Sequence, residues 1–219
     1  MPKNDDSDFG VPFPGAVVEP ARRTRTRVDL PRPGEPFEWE KVFRRLAPRV
    51  LDLGCGNGRY CLASALLRPG FDHLGVDVLP LVVRYARRRA RQRGFANVRF
   101  GVLDARRLLD RFVAPGSVAE VHVYHPQPYH DPAERHRRVV TRAFVESLRR
   151  ALAPGGLLFT QTDSRDYWEQ MLAVIPEFFE FRAHEGRWPD SPRGRTRREI
   201  IALKRGLDVF RGFGVARPV

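Results

Sequence analysis

The sequence predicts an α/β protein, a mostly parallel sheet with helices on both faces. Three observations carry that prediction. From Phe37 onward, short apolar runs alternate with amphipathic ones, the rhythm of strands and helices in turn. A glycine-rich stretch, LDLGCGNGRY, separates the first strand from the first helix of that series. An aspartate stands at or just beside the end of each of the first three strands.

The elements follow in order. RVLDLG is a short apolar strand and NGRYCLASALL an amphipathic helix. HLGVDV is the second strand. PLVVRYARRRARQR is a helix with Pro80 near its start, where a missing N–H costs nothing. NVRFGVLDA and SVAEVHVYH are the third and fourth strands. RHRRVVTRAFVESLRRAL reads as one long helix closed by the turn Pro154-Gly155-Gly156, and GLLFTQTD as the fifth strand. Residues 1–36 have no hydrophobic period and are rich in Pro, Gly and charge, which predicts a flexible basic arm ahead of a single domain over residues 37–219. Arg22, Arg23, Arg25 and Arg27 cluster there, either to touch phosphates or as a solvated tail.

The 219 residues suffice for one sizeable core. The net charge of +13 points to a polyanionic partner, nucleic acid or an anionic membrane surface. No apolar run has spanning length, so no membrane insertion is expected. The N-terminus lacks a basic-then-apolar signal pattern. Cys55 and Cys61 are the only cysteines and form no CxxC pair, which excludes a disulfide scaffold and fits a reducing cytoplasm.

Gly54, Gly56 and Gly58 let the backbone turn tightly and approach a ligand, with helix amides facing it. A plain turn would use the same residues. A dinucleotide fingerprint is G-x-G-x-x-G, whereas the spacing here is G-x-G-x-G with Asp52 two residues before the first glycine. A carboxylate there repels a pyrophosphate but suits S-adenosyl-L-methionine, which carries an ammonium and a sulfonium. Asp77, ending the second strand, can accept both ribose hydroxyls. Asp104, with Ala105 after it, follows the third strand, placed to meet an adenine amino group. In an open parallel sheet these strand ends border one crevice. The pattern is that of a class I S-adenosylmethionine-dependent methyltransferase.

From about Trp39 to the C-terminus the chain resembles the bacterial tRNA (guanine-N7-)-methyltransferases, through LDLGCGNG, LGVDV, NVRFGVLDA, TDSRDYWEQML and TRRE in that order, with a proline-rich loop after the fourth strand. The resemblance implies a cofactor, S-adenosyl-L-methionine, a tRNA partner, and N7 of the guanine at position 46 of the variable loop as the target. It also makes LDVFRGFGV the last strand of a seven-stranded sheet. In the family the fourth strand runs into a loop reading roughly Pro-Asp-Pro-Trp-Pro-Lys. Here the loop is Pro126-Gln127-Pro128-Tyr129-His130-Asp131. Gln127 stands in place of the family's aspartate and Tyr129 in place of its tryptophan, while Arg137 and Arg138 match its later basic pair. TDSRDY keeps Thr162, Asp163 and Tyr167, with Ser164 where tryptophan is usual. TRRE keeps Thr196 and Glu199, with Arg198 in an aromatic's place.

The resemblance therefore assigns catalytic contacts to Gln127, Asp163 and Glu199. It assigns substrate contacts to Tyr129, Arg137, Arg138, Asp163, Tyr167, Thr196 and Glu199. Asp163 also reads as a helix N-cap. Prolines fix φ and remove donors, so the loop reads as a stiff one that aims Gln127 and Tyr129 into the crevice. A metal site from His122, His125 and His130 is not expected, since no HExxH helix or cysteine partner accompanies them. Guanine N7 has a lone pair and no hydrogen, so methylation there needs alignment rather than a general base. Tyr129 can stack on a splayed base. The helix arginines Arg84, Arg87, Arg88 and Arg91 can meet phosphates or form a solvated face. A non-catalytic RNA-binding protein on the same fold, or a methyltransferase for another RNA site or a small molecule, would share many of these features. Monomer and homodimer are both compatible with the sequence.

Overall fold

The computed structural model describes residues 6–32 and 34–218. Nine strands and seven α-helices follow one another in the described chain. A small antiparallel hairpin, β1 (Ser7–Asp8) and β2 (Val11–Pro12), precedes α1 (Trp39–Phe43). Then come β3 (Arg49–Leu53), α2 (Arg59–Leu67), β4 (Asp72–Asp77), α3 (Pro80–Gln92), β5 (Val98–Val102) and α4 (Ala105–Arg111). The second half holds β6 (Val118–Tyr124), α5 (Arg142–Ala151), β7 (Leu152–Thr162), α6 (Arg165–Val174), β8 (Phe179–Ala183), α7 (Arg197–Lys204) and β9 (Phe210–Ala216).

The seven long strands form one sheet in the order β5-β4-β3-β6-β7-β9-β8. Strands β3 to β7 are parallel, and β9 enters antiparallel between β7 and β8. Strand order reverses beside β3, between β4 and β6, so the carboxyl ends of β3 and β6 diverge into a crevice there. The parallel strands are nearly all apolar and buried, as expected for strands covered on both faces. The alternation read from sequence is the alternation found.

Two expectations are corrected. The long helix predicted from Arg135 to Leu152 is broken. Pro132–Arg137 is a 3-10 turn, and α5 starts only at Arg142, after Thr141 caps it by accepting from Phe144 N at 3.3 Å. The β-branched run Val139-Val140-Thr141 and the burial of Arg138 hold the intervening residues extended.

Nor is the N-terminal segment a free arm over its described part; Met1–Asp5 lie outside the described residues. Phe13 is buried under the guanidinium of Arg89, 4.0 Å above its ring, with that of Arg59 at 4.5 Å. Further on, Thr24 Oγ1 donates to Phe95 O (2.6 Å) and Thr26 Oγ1 to Arg87 O (3.0 Å). Phe100 N donates to Thr26 O and Val28 N to Phe100 O, so this stretch covers the outer edge of β5. Its partners lie some seventy residues away and its buried residues come singly between Pro and Arg, so no local period announces it.

Among the described residues no helix is long and apolar enough to cross a membrane.

Candidate active site

The glycine loop opens directly from β3, and its geometry sorts the three glycines. Gly54 and Gly56 have φ of +83° and +52°, and a Cβ on either would meet nothing within 4 Å, so both border open space. Gly58 has φ of +80°, but its Cβ would lie 2.8 Å from both Ala86 and Phe100. Gly54 and Gly56 can therefore receive a ligand, whereas Gly58 seats α2 against α3 and β5.

A cavity of about 660 Å³ lies above this loop. Asp52, Gly54, Gly56 and Tyr60 form one wall, Val82 and Tyr85 of α3 a second, and Tyr124, His125 and Thr196–Arg198 the opposite wall. Ser7 and Asp8 of the hairpin close one side. Asp8 is buried and accepts from Arg59 Nε at 2.7 Å and Asn57 Nδ2 at 3.0 Å, tying the hairpin to the glycine loop.

Asp52 is 2% exposed, and its hydrogen bond is a weak one from the Cys61 thiol at 3.4 Å. Burial raises its pKa to about 7, and the nearby Asp77 charge adds to the rise. A buried carboxylate without a cation, facing a cavity, is a site for a positive ligand. Asp77 bridges the end of β4 to the loop: Oδ2 accepts from Gly56 N at 3.0 Å and Oδ1 from Leu79 N at 2.9 Å. Asp104 caps α4 by accepting from Arg107 N at 2.9 Å, with Ala105 the first helical residue. Asp77 ends β4, and Asp104 and Ala105 follow β5, so all three stand at the carboxyl ends of the two strands on one side of β3, outside the lining of the cavity itself. The donor set fits a cofactor with a cationic end over Asp52 and a nucleoside end toward Asp77 and Asp104.

The opposite wall differs from the sequence-based expectation. Glu199 is fully buried and saturated: Oε1 accepts from Arg211 Nη2 at 2.6 Å, and Oε2 accepts from Arg195 N at 2.6 Å and Gln161 Nε2 at 3.2 Å. It has no acceptor left for a base. Tyr167 is also fully buried; its hydroxyl accepts from Val140 N at 3.0 Å, and the Arg138 guanidinium lies 4.8 Å over its ring. Arg138, 2% exposed, donates to Pro128 O at 2.7 Å, to Gln170 Oε1 at 2.9 Å and to Asp166, so it anchors the proline loop from beneath instead of reaching a phosphate. Arg137 lies over the Tyr129 ring at 4.6 Å and pairs with Glu134. Gln127 is exposed and Tyr129 half-buried, both outside the cavity lining, with Tyr129 held at φ +44°. The N-cap of α6 is Ser164, not Asp163. Thr196 does line the cavity, and it caps α7 by accepting from Glu199 N at 3.1 Å.

Asp163 is held between the His125 imidazole and the Arg198 guanidinium. Oδ1 is 3.1 Å from His125 Nδ1, and Oδ2 accepts from Arg198 Nε at 2.9 Å and Nη2 at 2.6 Å. These partners hold its pKa well below the usual carboxylate range despite partial burial. An ionised Asp163 accepts a hydrogen bond from Nδ1–H, and in the neutral tautomer with that proton the lone pair sits on Nε2. That Nε2 is buried and has no partner, the one such side-chain atom on a cavity-lining residue among the described residues. Sequence reasoning considered His125 only as a metal ligand and missed this role. The available signal was a polar residue squeezed between a buried strand and a proline, which the fold holds at φ +48°. His122 is engaged at both nitrogens, by Tyr124 at 2.8 Å and Tyr60 at 2.8 Å, and burial lowers its pKa to about 4.

The strand order and the site together define the class I methyltransferase architecture. Solved structures of that architecture superpose on the chain. They include the 16S rRNA methyltransferase KamB (TM-score 0.63, 16% identity, 89% of this chain and 99% of that one). Another is phosphoethanolamine N-methyltransferase 2 of Haemonchus contortus in complex with S-adenosyl-L-methionine (TM-score 0.54, 16% identity, 83% and 51%). Residues 46–211 match the family described as putative methyltransferases. Curated relatives named tRNA (guanine-N(7)-)-methyltransferase include that of Alkalilimnicola ehrlichii, 34% identical over 188 residues, covering 84% of this chain and 78% of that protein. That of Methylococcus capsulatus is 36% identical over 166 residues, 75% and 72%. That of Thiobacillus denitrificans is 37% identical over 149 residues, 68% and 66%. The chain belongs to the family of tRNA (guanine-N(7)-)-methyltransferases.

Proposed function

We propose that the protein transfers a methyl group from S-adenosyl-L-methionine to N7 of a guanine in tRNA, the one at position 46 of the variable loop. The observation that carries the reading is the two-walled cavity. A wall with open glycines and an unpaired buried carboxylate faces one with a lone acceptor nitrogen, in a chain whose relatives have this activity by name.

Asp52 offers its carboxylate to the cofactor's cationic end, Gly54 and Gly56 allow close backbone approach, and Asp77 and Asp104 lie toward the nucleoside end. When bound, the cofactor supplies an electrophilic methyl group on a sulfonium. No residue needs to remove a proton from N7, so the protein's work is alignment and exclusion of water. On the opposite wall Asp163 and Arg198 fix the His125 ring, and its Nε2 lone pair can accept from a guanine N1–H or N2–H. Glu199 and Arg211 hold that wall in place from within.

The test is label transfer from methyl-labelled S-adenosyl-L-methionine to an unmodified tRNA transcript, with reductive strand scission to map N7-methylguanine. One labelled guanine in the variable loop is expected. Cofactor binding without transfer to tRNA, or label at another atom, overturns the reading.

A further inference from the structure

The docked N-terminal segment and α3 build a second concave surface, away from the cavity. Along Thr24–Val28 the chain alternates: Thr24, Thr26 and Val28 turn inward, and Arg23, Arg25 and Arg27 outward. The inward hydroxyls are the ones bonded to Phe95 O and Arg87 O. On α3, Arg84, Arg87, Arg88 and Arg91 recur at helical spacing on one stripe. The two rows converge on a single groove of about 750 Å³, whose other lining residues are Thr24, Thr26 and Gln92. No carboxylate lines it. Among the described residues its ion pairs run only to Asp29, from Arg25 and from Arg27 at 3.6 Å. Seven guanidiniums so gathered repel one another: burial first, and then the neighbouring Arg27 charge, press the Arg87 pKa down. An anion in the groove relieves that.

We propose that this groove seats the sugar–phosphate backbone of the RNA substrate, at a site separate from the methyl-transfer cavity. The inference rests on the tRNA reading above. Its shape favours a polymer over a single phosphate. Outward residues on an extended chain recur about every 6.6 Å, and Arg84 and Arg91 lie about 10 Å apart along the helix, so the charges span several phosphates. Val82 and Tyr85 face the cavity from the same helix. Helix α3 is thus the ridge between the two sites, and RNA crossing it would present a splayed base to the cavity while its backbone rests in the groove.

The experiment compares wild type with Arg84→Ala/Arg88→Ala/Arg91→Ala, and with the corresponding triple lysine variant. These three side chains are exposed and make no hydrogen bond or ion pair among the described residues, so the fold does not depend on them. Affinity for an unmodified tRNA transcript is measured across a salt series, alongside methyl transfer and calorimetric cofactor affinity. The alanine variant should lower the slope of log affinity against log salt by about 2–3. It should raise KM for tRNA at least tenfold and leave kcat and cofactor affinity unchanged, and the lysine variant should restore most of the slope. If wild type methylates tRNA and the alanine variant keeps its slope and KM, the groove assignment falls and the tRNA reading stands. If wild type transfers no methyl group but its salt-dependent tRNA binding is lost in the alanine variant, the groove stands and the reaction assigned above falls. Loss of binding to anionic phospholipid vesicles with tRNA binding intact would also overturn the assignment, in favour of a membrane surface.

Discussion

The wall of the cavity that β3 and α2 provide is made largely by chain neighbours, whereas the wall facing it is made by partners far apart in sequence. Asp52 to Gly58 turn from strand to helix within seven residues, and Gly56 bonds Asp77 at the end of the next strand; a long tie runs from Asn57 to Asp8 of the hairpin, across 49 residues. On the other side His125 meets Asp163 across 38 residues, Asp163 meets Arg198 across 35, and Glu199 holds Gln161 across 38. A wall built locally is fixed by backbone geometry, since positive-φ glycines have few substitutes. A wall built from ion pairs can exchange residues as long as charges remain matched. The proline loop shows it: where the resemblance implies an aspartate there is Gln127, and His125 with Arg198 form an arrangement of their own around Asp163.

The largest effect expected from this difference is on stability. Glu199→Ala would leave the Arg211 guanidinium, 5% exposed, buried without its partner, and would strand Arg195 N–H. Breaking a buried pair from one side costs about 3–5 kcal/mol. Denaturant unfolding should show a loss of that order. A Glu199→Ala protein of wild-type stability but low kcat would mean that the carboxylate serves the base directly, and the two walls would then be alike in kind.

Next in size is the acceptor itself. His125→Ala removes the unpartnered Nε2, and Asp163→Asn frees the ring to turn and shifts its proton. Either should lower kcat/KM on tRNA by about 10–100-fold, equivalent to about 1.4–2.8 kcal/mol. Cofactor affinity should hold, because Asp52 and the glycine loop stand on the other wall. A parallel loss of cofactor affinity would show that the walls are coupled.

The local wall has its own signature in pH. With Asp52 raised to about 7 in the fold and near 3.9 when unfolded, the folded state keeps a proton that the unfolded state loses. Its contribution to stability therefore falls as pH rises from about 4 to about 7 and is level above that. A cationic ligand over Asp52 favours the carboxylate, so binding S-adenosyl-L-methionine at pH 6 should release close to one proton. Affinity should rise by up to about tenfold per pH unit below pH 7. Calorimetry in buffers of differing ionisation enthalpy measures the proton directly. Binding with no proton released would remove Asp52 from contact with the ligand's charge.

How much of this was legible in the sequence follows the same division. The alternation of strands and helices, the glycine loop and the acids at three strand ends could be read because each depends on neighbours in sequence. Glu199, Tyr167 and Arg138 were found as motif residues, but motif identity does not say which way a side chain faces, and all three face inward. His125 was visible as a residue but not as the partner of Asp163, since nothing local joins them. The N-terminal segment was misread for a related reason: Phe13, Thr26 and Val28 are buried by distant elements.

The smallest expected effect concerns Gln127. Its place in the loop suggests that restoring a carboxylate, Gln127→Asp, should strengthen the grip on the base and raise the rate about tenfold. The structure argues otherwise. Gln127 is exposed and outside the cavity lining, while the loop is pinned beneath by Arg138 through Pro128 O. A solvated side chain on a pinned loop changes energies by about 0.5 kcal/mol or less, about twofold in rate. Single-turnover methylation of tRNA by wild type and Gln127→Asp should therefore agree within about twofold. A tenfold gain would mean that the loop swings inward when RNA binds, bringing position 127 to the base and adding a moving part to the wall built from distant pairs. In that event Tyr129→Ala, which uncovers Arg137, should slow the same step, because both side chains would travel on one segment.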